Sequence, residues 1–206
     1  AGKSTTLGVL AGFLFARRGT LRLDGVSVPL ERWSPRAGLS YLPERPIIDE
    51  RVTPWQWCDF VASLKGVTPS ADSADLLACL GLDEDYMHAP LATLSFGTIR
   101  KVALFAELVT TSRCLIMDEP LSGLDPAAVE GFHDALRAFV RTGKRSVLLS
   151  THLLGEAEAV ASHVGVIVDG RTIAEGSVSE VCGSESLRAT YRRLTAKPRV
   201  VVESNR

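Results

Sequence analysis

The sequence predicts an α/β fold: a parallel sheet core flanked by helices, with an inserted α-helical subdomain and a small antiparallel β part. Three observations carry that expectation. Cys114-Leu115-Ile116-Met117 and Ser146-Val147-Leu148-Leu149-Ser150 are short apolar runs, the texture of strands buried on both faces of a parallel sheet. Between residues 53 and 110 the apolar spacing turns helical, which places an all-helical segment between sheet elements. Near the end, Asp169-Gly170 separates Val164–Val168 from Arg171–Ala174, the strongest short-range signal for a hairpin.

Composition sets a plain background. A chain of 206 residues can bury a good core as one domain with a subdomain. Its 23 Lys and Arg against 24 Asp and Glu give a net charge of −1, no electrostatic reason to expect nucleic acid. Cys58, Cys79, Cys114 and Cys182 lie far apart, without the close pairs of a zinc site or redox motif. Buried free thiols in a reducing compartment are the expectation, Cys114 above all. No apolar run approaches the ~20 residues of a membrane span. The chain opens Ala1-Gly2-Lys3-Ser4-Thr5 with no initiator Met. This is the second half of a phosphate-cradling loop, so a fragment is expected, with the preceding strand outside it and no signal peptide.

In chain order, Gly2 lets the backbone approach a phosphate, Lys3 supplies a charge and the Ser4 hydroxyl suits Mg²⁺. The helix behind them, with Leu7, Leu10 and Leu14 on one face, adds its N-terminal dipole. Gly19–Gly25 alternates like a hairpin arm. Leu39–Leu42 reads as a strand closed by Pro43 and Glu44. Thr53-Pro54-Trp55-Gln56 has the capping-box arrangement, and Trp57, Phe60, Val61 and Leu64 form a stripe that Gly66 stops. Those aromatics suit a core or a partner-facing surface better than a nucleotide-stacking box. A second helix spans Asp72–Leu80 and ends at Gly81.

Ser95 caps a helix running to about Val109 that is apolar nearly all round, hence buried. Its N-terminus can take an anion, although an ordinary capped helix fits the same residues. Asp118, Glu119 and Pro120 then terminate the first apolar strand. The carboxyl edge of a parallel sheet is where such folds bind ligands. Two acids there can divide labour: one holds Mg²⁺, the other takes a proton from an attacking water. A solvated strand end fits the Asp-Glu pair alone equally well. Asp125 caps the next helix with Pro126 at N1 and Val129, Phe132, Leu136, Phe139 and Val140 inward, and Thr142-Gly143 ends it. The following strand delivers Thr151 and His152 to the same sheet edge. From Ser184 on, six Lys and Arg stand against two Glu, read as a short helix and a loose basic tail.

Taken together and in order, these pieces resemble the ATP-binding cassette (ABC) ATPase family, over nearly the whole chain. AGKST resembles the end of Walker A, LPE the Q-loop and LSFGT the LSGGQ signature. CLIMDEP is similar to Walker B with its catalytic Glu, SGLD to the D-loop and STH to the switch-histidine segment. The hairpin VDGRTIAEGSVSEV is similar to the segment that ends many cassettes of bacterial exporters.

The resemblance implies a P-loop NTPase-type fold, with 1–50 and 111–183 as a RecA-like core. Residues 51–110 would be the helical subdomain with the signature, and 184–206 a C-terminal helix and tail. It implies ATP and Mg²⁺ as cofactors. Gly2, Lys3, Ser4 and Thr5 would bind the nucleotide, Lys3 at the β/γ-phosphates. Ser4, Asp118 and Glu44 would hold Mg²⁺, Glu119 would polarise the attacking water and His152 would contact the γ-phosphate. Ser95 and Gly97 would bind the γ-phosphate on a partner cassette, and Asp125 would cross the dimer interface. Three positions depart from the family pattern: Glu44 replaces Gln, Phe96 the first signature Gly, and Thr98 the signature Gln.

The implied function is the ATP-hydrolysing subunit of an ABC transporter, an exporter, driving a separate membrane permease through ATP-dependent cassette dimerisation. Its place would be cytoplasmic, on the inner face of the cell membrane, with Trp55 in the helical insert anchoring the permease. Two alternatives stand beside it: a soluble ABC ATPase acting on ribosomes or DNA, and a partner cassette that hydrolyses weakly.

Overall fold

The computed structural model describes residues 2–23, 25–31, 38–69, 73–110, 113–141 and 143–196. The expectations for Asp72, Thr142 and the basic tail beyond residue 196 lie outside the described residues. The chain forms two compact units, one holding Lys3–His152 and the other Gly2 with the residues from Leu153 on.

The larger unit is built on a three-stranded parallel sheet: β1, Leu39–Leu42; β2, Cys114–Asp118; and β3, Ser146–Ser150. Strand β2 lies between the other two, with Leu42 opposite Met117 and Asp118 opposite Ser150. All three carboxyl ends therefore emerge on one edge. The predicted burial holds for β2, where Leu115, Ile116, Met117 and Asp118 are all buried. For β3 it needs correction: Leu148 is 42% exposed and only Ser150 is buried, because among the described residues β3 is an edge strand with one neighbour. Periodicity alone cannot tell a central strand from an edge strand.

Helix α1, Lys3–Ala11, starts at the site edge of this sheet. It stops earlier than the leucine spacing suggests. Gly12 has φ +88°, and the Phe13 and Leu14 amides both donate to the Gly8 carbonyl. Leu14 thus folds back over Gly8 instead of continuing the helical face. The expected hairpin arm forms a two-stranded antiparallel pair, Leu21–Leu23 with Val26–Val28.

The helical segment comprises α2 (Pro54–Lys65), α3 (Ser73–Leu80), α4 (Glu84–His88) and α5 (Phe96–Thr110). The capping box at α2 is present in full. The Thr53 hydroxyl accepts from the Gln56 amide at 3.3 Å, and the Gln56 side chain accepts from the Thr53 amide at 2.9 Å. Gly66 ends the helix at φ +63°, in the left-handed region. The face that α2 buries is Pro54, Cys58, Val61 and Ala62, not the aromatic stripe. Phe60 is 51% and Leu64 71% exposed, and Trp57 stacks on Phe60 with ring centroids 5.6 Å apart. Of that stripe Val61 is buried in the core and partly buried Trp57 packs against it. Burial pushes the Cys58 thiol up to about 12, helped by the neighbouring Asp59 charge, so it stays an inert thiol. All four cysteines are free, but Cys114 and Cys79 are only partly buried.

Helix α5 meets its expectation and is buried from Val102 to Val109 except at Glu107. Its Phe105 lies fully buried with Leu104, Leu108, Leu115 and Met117 in one continuous core. Truncating such an aromatic to Ala costs about 3–5 kcal/mol. Lys65 ties α2 to the sheet and to α5: its ammonium donates to Ser40, Glu107 and Thr110 at 2.7, 2.6 and 2.8 Å. Helix α6, Pro126–Val140, packs on α3 so closely that a Cβ on Gly131 would fall 1.6 Å from the Cys79 carbonyl oxygen. Only glycine permits that approach. Of its predicted inward face, Phe132, Leu136 and Phe139 are buried, whereas Val140 is on the surface.

The smaller unit contains α7 (Leu154–Val160), the hairpin β4 (His163–Val168) and β5 (Arg171–Ser177), α8 (Val178–Cys182) and α9 (Leu187–Thr195). Asp169 and Gly170 turn the hairpin with φ +48° and +74°, the two positive values that an Asp-Gly type I′ turn requires. Among the described residues, no helix is long and apolar enough to cross a membrane.

Candidate active site

The chemistry converges where β2 and β3 end and α1 begins. Asp118 is the last residue of β2 and is buried; the Ser150 hydroxyl, directly across the ladder, donates to its Oδ1. The chain leaves the strand through Glu119, whose φ of +47° is left-handed. That conformation is costly for a residue with a Cβ and is characteristic of sites where side-chain direction matters. Its amide donates to the Ser150 carbonyl at 3.0 Å and to the Ser150 hydroxyl at 3.3 Å. The turn brings the second acid to the same side as its neighbours.

The Glu119 carboxylate meets two residues that the sequence singled out for phosphate contacts, not as its partners. Lys3 Nζ stands 3.5 Å from Oε1, and His152 contacts Oε2 through Nδ1 at 2.8 Å and through its amide at 3.2 Å. Lys3, Asp118, Glu119 and His152, separated by up to 149 positions in sequence, thus share one edge. Ser4 and Thr5 lie in the exposed first turn of α1. The negative charge of Asp118 has a reach beyond its own contacts. Burial first, and then that charge, hold the Tyr41 hydroxyl above its ordinary pKa.

Glu44, at the end of β1, is exposed, and its carbonyl accepts from Arg100 Nη1 at 2.5 Å. Gly2 has φ +113°, and a Cβ there would stand 3.2 Å from the Gly170 Cα, inside the smaller unit. Both observations favour glycine at that position. Among the described residues no three His, Cys, Asp or Glu side chains cluster as a metal cage. A carboxylate and a hydroxyl supply hard oxygen donors of the kind Mg²⁺ uses alongside phosphate oxygens. The Asp118, Ser4 and Glu44 set is of that kind.

The signature residues form a separate place on the same unit. Ser95 Oγ accepts from the Thr98 amide at 3.2 Å and lies 2.8 Å from Thr98 Oγ1, as an N-cap does. Gly97 faces the Gly123 carbonyl oxygen, 3.6 Å from where its Cβ would be. None of the described contacts joins Ser95 or Gly97 to Lys3, Asp118, Glu119 or His152. Phe96 is 64% exposed and its ring lies over Gly123. Asp125 caps α6 by accepting from the Ala128 amide at 2.9 Å and stands 3.7 Å from Lys101 Nζ. The expected permease anchor, Trp55, does not point outward. It packs edge-on against Phe105 at 5.9 Å and donates to Glu84 at 3.3 Å. The outward aromatic of α2 is Phe60.

One residue escaped sequence reading: Arg100. It is 4% exposed, and its guanidinium donates to three backbone carbonyls, those of Pro120 at 3.0 Å, Glu44 at 2.5 Å and Glu119. In sequence it is one basic residue of an Arg-Lys pair on a helix. The only available signal was its spacing, which puts it on the same side as Ile99, Ala103 and Leu104.

A parallel sheet with a lysine-bearing helix start and two strand-end acids defines an α/β nucleotide-site architecture. The comparisons make the class specific. The family model described as "ABC transporter" matches residues 1–122, more than half of the chain, and the chain belongs to the ABC transporter family. It is 36% identical over 187 residues to the human "Phospholipid-transporting ATPase ABCA7", covering 89% of this chain and 9% of that protein. It is 34% identical to "Nod factor export ATP-binding protein I" of Paraburkholderia xenovorans (strain LB400) over 187 residues, 90% of this chain and 61% of that one. The chain spans less than two thirds of either relative's own length. Among solved structures, "Structure of ATP binding subunit of ABC transporter" matches with TM-score 0.81 and 26% identity, over 95% of this chain and 84% of that one.

Proposed function

We propose that this chain binds and hydrolyses ATP as the cassette of an ABC exporter, driving a separate membrane permease from the cytoplasmic face of the cell membrane. The observation that carries the reading is the convergence of Lys3 and His152 on the Glu119 carboxylate beside buried Asp118. Lys3 would neutralise the β/γ-phosphates, so ATP would compete with Glu119 for its ammonium and release the carboxylate toward an attacking water. His152 would then meet the γ-phosphate. Ser4, Asp118 and Glu44 would hold Mg²⁺, which supplies charge neutralisation on the phosphate oxygens when bound. Gly2 and Thr5 would complete the nucleotide contacts.

Ser95 and Gly97 would serve the γ-phosphate of a second cassette, with Asp125 at the interface. ATP binding would close the dimer and hydrolysis would remove the contact that favours closure. The domain reading keeps 1–50 and 111–183 as core, 51–110 as helical subdomain and 184–206 as C-terminal helix and tail. Exposed Phe60 and Leu64, with Trp57 beside them, support a permease contact on α2, since monomers rarely leave such residues grouped on the surface. The word "export" in one relative's name supports the direction of transport. A second reading, the weaker half of a heterodimer, draws on Phe96 at the signature.

Glu119→Gln tests the central assignment. In the full-length protein it should leave ATP affinity within about twofold while lowering turnover by roughly 10²–10⁴-fold, the usual worth of a positioned general base. Steady-state ATPase assays and nucleotide titration measure both. Turnover close to the parent's would remove Glu119 from the role.

A further inference from the structure

We propose that Arg100 is a positioning residue that fixes the backbone of both Glu119 and Glu44, and so sets where their carboxylates point. The inference rests on the ATPase reading above for its catalytic consequence, but its geometry stands by itself. One guanidinium gathers three carbonyl oxygens from two separate segments: Glu44 after β1, and Glu119 and Pro120 after β2. Those segments are 75 positions apart in sequence. They are pinned by a side chain from the second turn of the signature helix α5, so a shift of that helix is passed to both strand ends at once.

The chemistry explains why the residue is arginine. A planar fork with donors on Nε, Nη1 and Nη2 can reach three fixed acceptors, whereas a lysine ammonium is a single point charge. The partners are carbonyls, which accept and carry no charge to lose. Burial pulls the Arg100 pKa down, and the Glu44 and Glu119 charges oppose that pull. A buried cation without a directional task is a poor way to stabilise a fold. Here the task is visible. Glu119 is held at φ +47°, a conformation that persists only where the surroundings over-determine it. Its amide is fixed by Ser150, and its carbonyl by Arg100 and by the Ser122 amide at 3.2 Å. Arg100 is thus one of the side chains clamping the peptide units on either side of the proposed base.

The experiment compares Arg100→Lys, with Arg100→Gln as a second variant, in the parent and in Glu119→Gln, all in the full-length protein. Each single Arg100 variant should lower kcat by on the order of 10²-fold, the scale of an ångström-level misplacement, with KM for ATP changed less than about twofold. In the Glu119→Gln background the same change should cost clearly less than in the parent, because the share of its effect that passes through Glu119 is already lost. Equal multiplicative losses in both backgrounds would overturn the proposal, as would an unchanged kcat. Hydrogen exchange gives a readout independent of catalysis. Peptides covering 43–46 and 118–122 should exchange at least several-fold faster in Arg100→Lys, with 146–149 unchanged. Unaltered protection at 118–122 would overturn the positioning role. If Glu119→Gln itself turns over like the parent, the ATPase assignment of Glu119 fails while the exchange result still decides Arg100.

Discussion

The sheet edge and the start of α5 belong to the same compact unit, and they treat polar groups in opposite ways. At the sheet edge both acids that end β2 meet a partner from their own chain: Asp118 has Ser150, and Glu119 has Lys3 and His152. At the start of α5, the Ser95 hydroxyl makes its described contacts only with Thr98, one residue-turn away, and Phe96 is exposed beside it. In the first arrangement the acids are paired within the chain. The second is a set of donors at a helix start with no contact to a charged side chain among the described residues. Folding demands explain the first, because buried charge must be paired. They do not explain the second, where a serine cap alone would serve with no need for Gly97 or an adjoining surface. The proposed dimer would bring to the second place a phosphate on another copy.

The sharpest way to break that comparison is to cripple the two places on different chains. Lys3→Ala and Ser95→Arg should each lower turnover by on the order of 10²-fold or more, the scale of losing a transition-state charge contact. Mixed in equal amounts, they should recover activity, because a heterodimer assembles one intact site from Lys3 of one chain and Ser95 of the other. With random pairing and independent sites, about a quarter of the parent turnover returns. No recovery in a mixture shown to form heterodimers would place Ser95 and Lys3 in the same chain's site and erase the contrast.

Phe96 sharpens the comparison at a smaller scale. Its ring covers Gly123 where the family signature has a glycine. Phe96→Gly should raise ATP-dependent dimerisation, measured by sedimentation in the Glu119→Gln background, by several-fold. A weaker dimer would mean that the ring is itself a contact across the interface and that this signature recognises its partner through an aromatic.

The sheet edge was legible because its elements announce themselves locally. Cys114–Met117 reads as a buried strand, Pro120 ends it after two acids, and the Asp-Gly pair turns a hairpin, as the structure has them. Capping chemistry was equally local, and Thr53 with Gln56 folds as its spacing demands. What escaped depends on packing that spacing does not encode. The stripe Trp57, Phe60, Val61 and Leu64 looks like a buried face, yet Phe60 and Leu64 are exposed and Cys58 and Ala62 join Val61 in the core. Leu148 lacks a second neighbouring strand to cover it. Arg100 was invisible because its partners are backbone carbonyls, which leave no mark in a sequence.

Asp125 distinguishes folding from assembly with the smallest effect. Its carboxylate accepts from the Ala128 amide to cap α6, and that hydrogen bond first, with Lys101 at 3.7 Å assisting, holds its pKa below the ordinary carboxylate value. A folded-state pKa below the unfolded one contributes stability that is present above about pH 4 and is lost as pH falls through the folded value. Asn keeps the capping oxygen but not the charge. Asp125→Asn should therefore melt within a degree or two of the parent at pH 7, and whatever difference exists should vanish in acid. Asp125→Ala, with no cap, should melt a few degrees lower across the whole range. If Asp125 also crosses a dimer interface, the Asn variant should show weaker ATP-dependent dimerisation despite its unchanged melting temperature. Thermal scans at several pH values and sedimentation with Mg-ATP separate the two. An Asn variant that dimerises like the parent would confine Asp125 to its cap and leave the proposed interface to Ser95 and Gly97.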